Sequence, residues 1–113
     1  MTKIKFFKKS NIFVGFESSG HTGYDDYGKD ILCASISALT LGCVLGVTKT
    51  LGINANVSRK DNDGYLKMEL PNGLGDDKLK SADLLISVLY DELSDLKNGY
   101  PKYIKMEVIE NVY

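Results

Sequence analysis

The 113-residue sequence has no tryptophan, only two prolines, two cysteines and one histidine, and a formal net charge of −1. Two thiols and one imidazole are too few to supply the four ligands of a structural zinc site unless carboxylates or a second subunit contribute. We therefore expect no metal, and we expect no cofactor. The near-neutral charge gives no reason to expect direct nucleic-acid binding. The first ten residues lack an apolar core long enough for a signal peptide, so we expect none.

The length is close to the commonest domain size, and we expect one domain over residues 1–113. One stretch from Ile31 to Thr48 carries no charge, but it contains two glycines and several hydroxyl side chains. Asp30 and Lys49 flank it closely. A membrane-spanning helix needs about twenty mainly apolar residues. We therefore interpret this stretch as a buried helix and expect no membrane association.

The two cysteines, Cys33 and Cys43, lie ten positions apart in this predicted helix. A rise of about 1.5 Å per residue separates them by roughly 15 Å, which is too far for a disulfide within one chain. We expect both thiols to be reduced, which is typical of the cytoplasm.

The apolar patterns predict the element order ββαββαβ. Period-two alternation predicts strands at 3–8, 12–16, 54–60, 65–70 and 103–109, with an Asp63-Gly64 hairpin turn between the third and fourth. Helices are predicted from Asp30 to about Thr50 and from Asp76 or Asp77, as its cap, to Gly99. The order predicts an α+β fold in which a mainly antiparallel five-stranded sheet carries two helices packed on one face.

Several side chains have predicted positions in this fold. In the first helix one apolar stripe faces the sheet, whereas the remaining apolar residues need another helix or another subunit to cover them. Gly42 and Gly46 permit close backbone approach. In the third strand Ala55 and Val57 are expected to face the core. The stripe of the first helix is Leu32, Ile36, Leu39, Cys43 and Val47, and its second apolar set is Leu41, Val44 and Leu45. The second helix has an apolar stripe of Leu79, Ala82, Ile86, Leu89, Leu93 and Leu96. Its solvated face holds Lys80, Asp83, Asp91 and Asp95.

A loop of about a dozen residues, Ser18 to Lys29, precedes the first helix and has no apolar periodicity. Loops of this length are uncommon unless they are functional or disordered. It contains His21, and its three glycines let the loop fold back toward the helix. We treat Gly20, Tyr24 and Gly28 as candidate substrate-loop residues; Tyr24 and Tyr27 either pack the loop down or line a substrate groove.

Cys33 stands at the start of the first helix. If Asp30 is the N-cap, Cys33 lies in the first turn, where free N–H groups and the helix dipole favour a thiolate. Asp30, Cys33 and Ser37 share one helical face. A thiolate beside an imidazole is the minimal equipment for attack on a carbonyl. Taken alone, the same residues also fit a buried structural thiol and a surface histidine.

The string Gly20-His21, Tyr24, Gly28, Asp30, Cys33-Ala34, Ser37-Ala38-Leu39 resembles the ribosomal-processing cysteine proteases of the Prp family. Family members usually have alanine where this chain has Thr22 and Ser35. The resemblance implies that Cys33 is the catalytic nucleophile and His21 its activating partner. It places Asp30 and Ser37 at further recurrent polar positions, as supporting residues.

The resemblance also implies a cytoplasmic homodimer that removes a short N-terminal extension from a large-subunit ribosomal protein through an acyl-enzyme. Backbone N–H groups at the helix start, including that of Cys33, are candidate oxyanion donors. Asp30 either orients His21 or only caps the helix. The alternatives from other classes are a non-catalytic dimeric interaction module and a thiol redox sensor.

Overall fold

The computed structural model describes residues 1–26 and 29–111. It contains a single five-stranded sheet in the order β3-β4-β2-β1-β5 within these residues. All strand pairs are antiparallel except the pair formed by β1 and β5. The predicted ββαββαβ order and α+β class are confirmed. The elements are β1 Thr2–Lys9, β2 Ile12–Ser19, α1 Ile31–Leu45, β3 Asn56–Lys60, β4 Tyr65–Glu69, α2 Asp76–Gly99 and β5 Ile104–Ile109.

The β1–β2 hairpin forms the centre of the sheet. Ser10 and Asn11 connect its strands with positive φ values of 52° and 66°, as a type I′ turn requires. A bulge between Phe7 and Lys8 shifts the register. The Phe6 ring contacts two rings of β2, those of Phe13 and Phe16, at centroid distances of 5.7 and 6.3 Å. This aromatic cluster fixes β2, from which the loop toward α1 departs.

Helix α2 covers this core with the predicted apolar stripe, of which Ala82, Ile86, Leu89 and Leu93 are buried. Two predictions for this helix were wrong. The N-cap is Gly75 rather than Asp76 or Asp77. The two aspartates lie in the first turn, where their negative charges interact favourably with the helix dipole. Asp83 is not simply solvated, because its carboxylate accepts a hydrogen bond of 2.9 Å from the Phe13 N–H.

Helix α1 continues as a π-helical turn, Gly46–Thr50, and Gly52 follows with a φ of +65°. Its inner face is buried as predicted at Leu32, Ile36, Cys43 and Val47, whereas Leu39 is only half-buried. Val44, placed outside this stripe at the sequence level, is also buried. Within the single chain the expected close approach holds at Gly46, where an added Cβ would lie 3.1 Å from the Leu85 side chain, whereas Gly42 has open space around it.

The outer face of α1 is apolar and exposed. Ile31 is 65% exposed and Leu45 50%, and the small residues between them on this face are exposed too: Ala34, Ala38 and Gly42. By length and composition alone, Ile31–Thr50 is long and apolar enough to cross a membrane. The prediction of a buried helix is therefore right for one face only.

Strand β3 is an edge strand, and all five of its residues are exposed. Val57 pairs with Met68 and so shares its face of the sheet, but it is 42% exposed. The expectation that Val57 lies in the core was wrong, because β3 has a neighbouring strand on one side only. Ala55 just before the strand is half-buried against the core. An open cleft remains between α1 and the β3–β4 hairpin.

Candidate active site

The backbone around His21 is bound to the start of β1. Gly20 has a φ of +87°, and an added Cβ would lie 2.7 Å from the Met1 carbonyl oxygen, so only glycine fits this close approach. The Thr2 hydroxyl donates to the Gly20 carbonyl at 3.1 Å, and the Met1 amine donates to the His21 carbonyl at 2.9 Å. These bonds hold His21 at the edge of the cleft.

Asp30 joins this loop to helix α1. Its Oδ1 accepts the Cys33 N–H at 2.8 Å, which is N-cap geometry. Its Oδ2 accepts the Thr22 hydroxyl and the Tyr24 N–H, the latter at 3.1 Å. Burial raises the pKa of Asp30, but these hydrogen bonds outweigh it and hold the pKa below its usual value of 3.8. Asp30 thus caps the helix and anchors the residue that follows His21.

This geometry corrects one expectation and explains one departure from the family pattern. The Cys33 N–H was a candidate oxyanion donor, but it is already bound to the Asp30 carboxylate. Thr22, where family members usually have alanine, is buried and donates to the same carboxylate. The hydroxyl therefore adds a bond between loop and helix that alanine cannot make.

Tyr24 packs the loop rather than lining the cleft. Its ring lies edge-on to Tyr100 and Tyr103, with centroid distances of 5.6 and 5.4 Å. The loop is thereby attached to the connection between α2 and β5. Gly20 does line the cleft. Tyr27 and Gly28 lie outside the described residues.

The Cys33 thiol and the His21 imidazole face each other, with 3.7 Å between Sγ and Nδ1. The opposite ring nitrogen, Nε2, lies 3.1 Å from the Asn62 carbonyl oxygen in the turn between β3 and β4. A carbonyl only accepts hydrogen bonds, so this contact assigns the proton to Nε2 and leaves Nδ1 as an acceptor in the neutral ring. Nδ1 is then the nitrogen placed to take the thiol proton.

The pair lies in an open cavity of about 510 Å³ between α1, the loop and the β3–β4 hairpin. Ser37, one turn along α1 from Cys33, also lines it. Asp25, Asp30 and Asp61 line it as well, and Arg59 is paired with Asp61 at 2.6 Å. The cavity therefore carries more acidic than basic side chains, which favours a basic ligand. The remaining lining residues include Thr2, Ser18, Thr40, Leu41, Tyr65 and Leu66.

The second cysteine has a different environment. Cys43 is buried against the core, and burial together with the charge of Glu92 raises the pKa of its thiol to about 12. A thiol of this kind stays protonated and unreactive. In residues 1–26 and 29–111, no three His, Cys, Asp or Glu side chains come together in a way that could hold a metal ion.

The contribution of the β3–β4 hairpin was missed at the sequence level. Asp63-Gly64 was interpreted only as a turn signal, yet the turn supplies the Asn62 carbonyl to His21. An added Cβ at Gly64 would lie 3.1 Å from His21 Cε1. The sequence shows the glycine at position 64, but it does not show that this glycine lies against His21.

The two thiols should differ strongly in reactivity. At pH 7 we expect iodoacetamide to alkylate Cys33 at least about 100-fold faster than Cys43, because only Cys33 is accessible and beside a base. The His21→Ala substitution should slow Cys33 about tenfold and leave Cys43 unchanged. Peptide mass spectrometry of quenched time points measures both rates in one sample. Equal rates for the two cysteines would contradict a nucleophilic Cys33.

Asp30 should stabilise the fold in a pH-dependent way. Its pKa is lower in the folded than in the unfolded chain, so its ionised form contributes stability above pH 3.8, and this is lost as the pH falls through the lowered value. Asp30→Ala should cost about 1 kcal/mol in the free energy of unfolding at pH 7. The difference from wild type should narrow below pH 3.8.

Urea unfolding followed by circular dichroism measures this difference at each pH. The matched control is Asp91→Ala on the exposed face of α2, which we expect to change stability by less than about 0.5 kcal/mol. A pH-independent difference for Asp30→Ala would contradict the role of the ionised carboxylate.

Comparison with known proteins assigns the chain to a family. A family model described as cysteine protease Prp matches residues 1–105. The ribosomal processing cysteine protease Prp of Bacillus subtilis is 26% identical over 93 residues, covering 82% of this chain and 83% of that protein. The corresponding protease of Staphylococcus aureus is 24% identical over 87 residues, covering 77% and 78%.

Solved structures share the fold. An essential ribosomal processing protease Prp from S. aureus, in complex with a covalently linked product peptide, has a TM-score of 0.85 at 20% identity, covering 96% of this chain and all of that one. A Streptococcus mutans protein has a TM-score of 0.83 at 22% identity, covering 97% and 95%. Because the family model spans nearly the whole chain, this protein belongs to the Prp family of cysteine proteases.

Proposed function

We propose that this protein removes a short N-terminal extension from a large-subunit ribosomal protein, with Cys33 as nucleophile and His21 as its acid–base partner. The observation that carries this proposal is the 3.7 Å contact between Sγ and Nδ1 at the start of α1, inside an open cavity. Asp30 supports the pair by holding loop and helix together, and Ser37 borders the cavity one turn away.

The first half of the proposed reaction forms an acyl-enzyme. The thiol proton moves to His21 Nδ1, and the helix dipole stabilises the resulting thiolate. The sulfur attacks the scissile carbonyl carbon, and a carbon–sulfur bond forms while the carbonyl oxygen becomes an oxyanion. The imidazolium then returns its proton to the leaving amine nitrogen as the peptide bond breaks.

The second half releases the acyl group. A water molecule gives a proton to Nδ1 and attacks the thioester carbon. The carbon–sulfur bond breaks, the product leaves as a carboxylic acid, and the thiol regains its proton from the imidazolium. The enzyme returns to its starting state with no cofactor involved.

Three observations support a ribosomal substrate. The relatives named above are ribosomal processing proteases, and one S. aureus structure with a TM-score of 0.79 holds a substrate peptide. The excess of acidic side chains around the cavity matches a basic peptide, the kind of chain that a ribosomal protein offers. Reduced cysteines are consistent with a reaction in the cytoplasm, where ribosomal proteins are made.

The cleavage itself can be tested directly. The large-subunit ribosomal protein with its N-terminal extension, from the same organism, should be cut once by the wild type and not at all by Cys33→Ala. His21→Ala should lower the rate by about 10²- to 10⁴-fold, because general acid–base catalysis contributes that much. Mass spectrometry of the products locates the cut. Cys43→Ala is the matched control and should retain cleavage.

Two outcomes would contradict the proposal. If folded, reduced wild type leaves the substrate intact while Cys33 alkylates fast, the redox sensor becomes the better explanation. If the wild type leaves the substrate intact and Cys33 also alkylates slowly, the non-catalytic interaction module becomes the better explanation.

We also propose that the protein is a homodimer that pairs through the outer face of α1. This face is apolar and exposed from Ile31 to Leu45, and the helix is uncharged between Asp30 and Lys49. Small residues at three successive turns, Ala34, Ala38 and Gly42, permit the close approach of two identical helices about a two-fold axis. A second copy would bury the apolar area that remains exposed in the single chain.

Leu45→Glu should convert the dimer into a monomer, because it places a charge in the proposed apolar interface. Size-exclusion chromatography with light scattering measures the mass, and wild type should have twice the mass of one chain. Val108→Glu is the control, since Val108 is also exposed but lies on β5 at the far edge of the sheet. A monomeric wild type, or a dimer that survives Leu45→Glu, would contradict the interface.

A further inference from the structure

We propose that the β3–β4 hairpin positions the His21 imidazole through the Asn62 backbone carbonyl, and that Gly64 is the positioning residue that lets the hairpin come close enough. The inference rests on the proposed roles of Cys33 and His21. It assigns to a main-chain oxygen the task that a carboxylate or amide side chain performs in other cysteine and serine hydrolases.

The carbonyl acts on the ring in two ways. In the neutral imidazole, the 3.1 Å contact keeps the proton on Nε2 and so directs the unprotonated Nδ1 toward Sγ. When Nδ1 has taken the thiol proton, the ring is a cation, and its Nε2–H becomes a stronger donor to the same oxygen. The contact therefore favours the imidazolium that forms together with the thiolate.

Gly64 makes the contact possible. It has a φ of +59°, and an added Cβ would lie 2.8 Å from the Gly20 carbonyl oxygen and 3.1 Å from His21 Cε1. Contacts this short require a shift of the backbone or of the ring. The nearest atom is the Gly20 carbonyl oxygen, which is held by a hydrogen bond from the Thr2 hydroxyl. A side chain at position 64 would therefore push the hairpin and the loop apart.

The hairpin has its own supports, so the Asn62 oxygen is held in place. The Gly64 N–H donates to the Asp61 carbonyl at 3.1 Å and closes the turn. The Tyr65 hydroxyl donates to the Glu17 carboxylate at 2.9 Å, and β4 pairs with β2. The His21 loop leaves the same strand, β2. Both sides of the contact are therefore attached to the same strand.

The test compares two glycines that have a similar left-handed backbone conformation. Gly52 has a φ of +65°, and an added Cβ there meets nothing within 4 Å. Gly64→Ala and Gly52→Ala should lose similar stability from the left-handed conformation, but only Gly64→Ala displaces the hairpin from His21. If either alanine variant fails to fold, the pair Gly64→Asn and Gly52→Asn replaces it, because asparagine tolerates this conformation better.

The first readout is the ring itself. The chain has one histidine, so its ¹⁵N-labelled imidazole gives a single, unambiguous pair of NMR signals. At a pH where the ring is neutral, wild type and Gly52→Ala should show Nε2 protonated and Nδ1 bare. Gly64→Ala should shift toward the averaged signals of a free imidazole. A protonated Nδ1 in wild type, or identical spectra for the two variants, would overturn the proposal.

The second readout is the pH dependence of Cys33 alkylation by iodoacetamide. Gly64→Ala should lower the rate at pH 7 about tenfold and move the rise in rate to higher pH, because the imidazolium loses its acceptor. The nearby charged groups are unchanged in both variants: the Met1 amine, Asp25, Asp30, Arg59 and Asp61. Gly52→Ala should retain the wild-type profile, and equal profiles for both variants would overturn the proposal. Neither readout needs a peptide, so a wrong substrate assignment would leave this test intact.

Discussion

The arrangement of the site depends on one carboxylate. Asp30 accepts the Cys33 N–H with one oxygen, and the Thr22 hydroxyl and Tyr24 N–H with the other. Without it, the first turn of α1 would lose its cap, and the segment that follows His21 would lose its attachment to that helix. A carboxylate suits this position because it offers several lone pairs and no donor, so it can satisfy loop and helix at once. The lowered pKa of Asp30 reflects those same bonds.

Different elements of the structure hold the His21 imidazole and the Cys33 thiol in position. His21 is bound through its backbone to the start of β1 and through its ring to the β3–β4 hairpin, whereas Cys33 belongs to α1. Since β1, β2 and β4 are neighbours in one sheet, the loop and the hairpin cannot drift independently. The two thiols differ in burial: Cys33 lines the cavity, whereas Cys43 lies in the core, where burial raises the pKa of its thiol to about 12.

Local pattern predicted most of the fold, and the errors at Val57 and Asp83 have one cause, because both depend on neighbours that are distant in the sequence. Alternation puts Ile4 and Phe6 on one face of β1, and helical spacing puts Ala82 and Leu93 on one face of α2; both faces are buried, because each period brings every member of a face to the same side. Val57 has the correct face but remains exposed, since alternation does not tell an edge strand from a central one. Asp83 was predicted to lie on a solvated face, yet its carboxylate accepts a hydrogen bond from the N–H of Phe13 in β2, which is 70 positions away in the sequence.

From the sequence alone, the candidate residues of the site and the N-terminal end of its helix could be predicted. Cys33, His21 and Asp30 stand out because thiols and imidazoles are rare in this chain, because the three residues fall in the string that resembles the Prp family, and because helix capping is a local interaction. Three features follow instead from the three-dimensional arrangement: which nitrogen of His21 faces the thiol, where the Tyr24 ring packs, and that Gly64 lies against the loop. The first depends on a backbone carbonyl, which every residue has, and on strand pairing that brings position 62 beside position 21. The sequence shows that position 64 is a glycine, but it does not show which atoms of the loop lie against it.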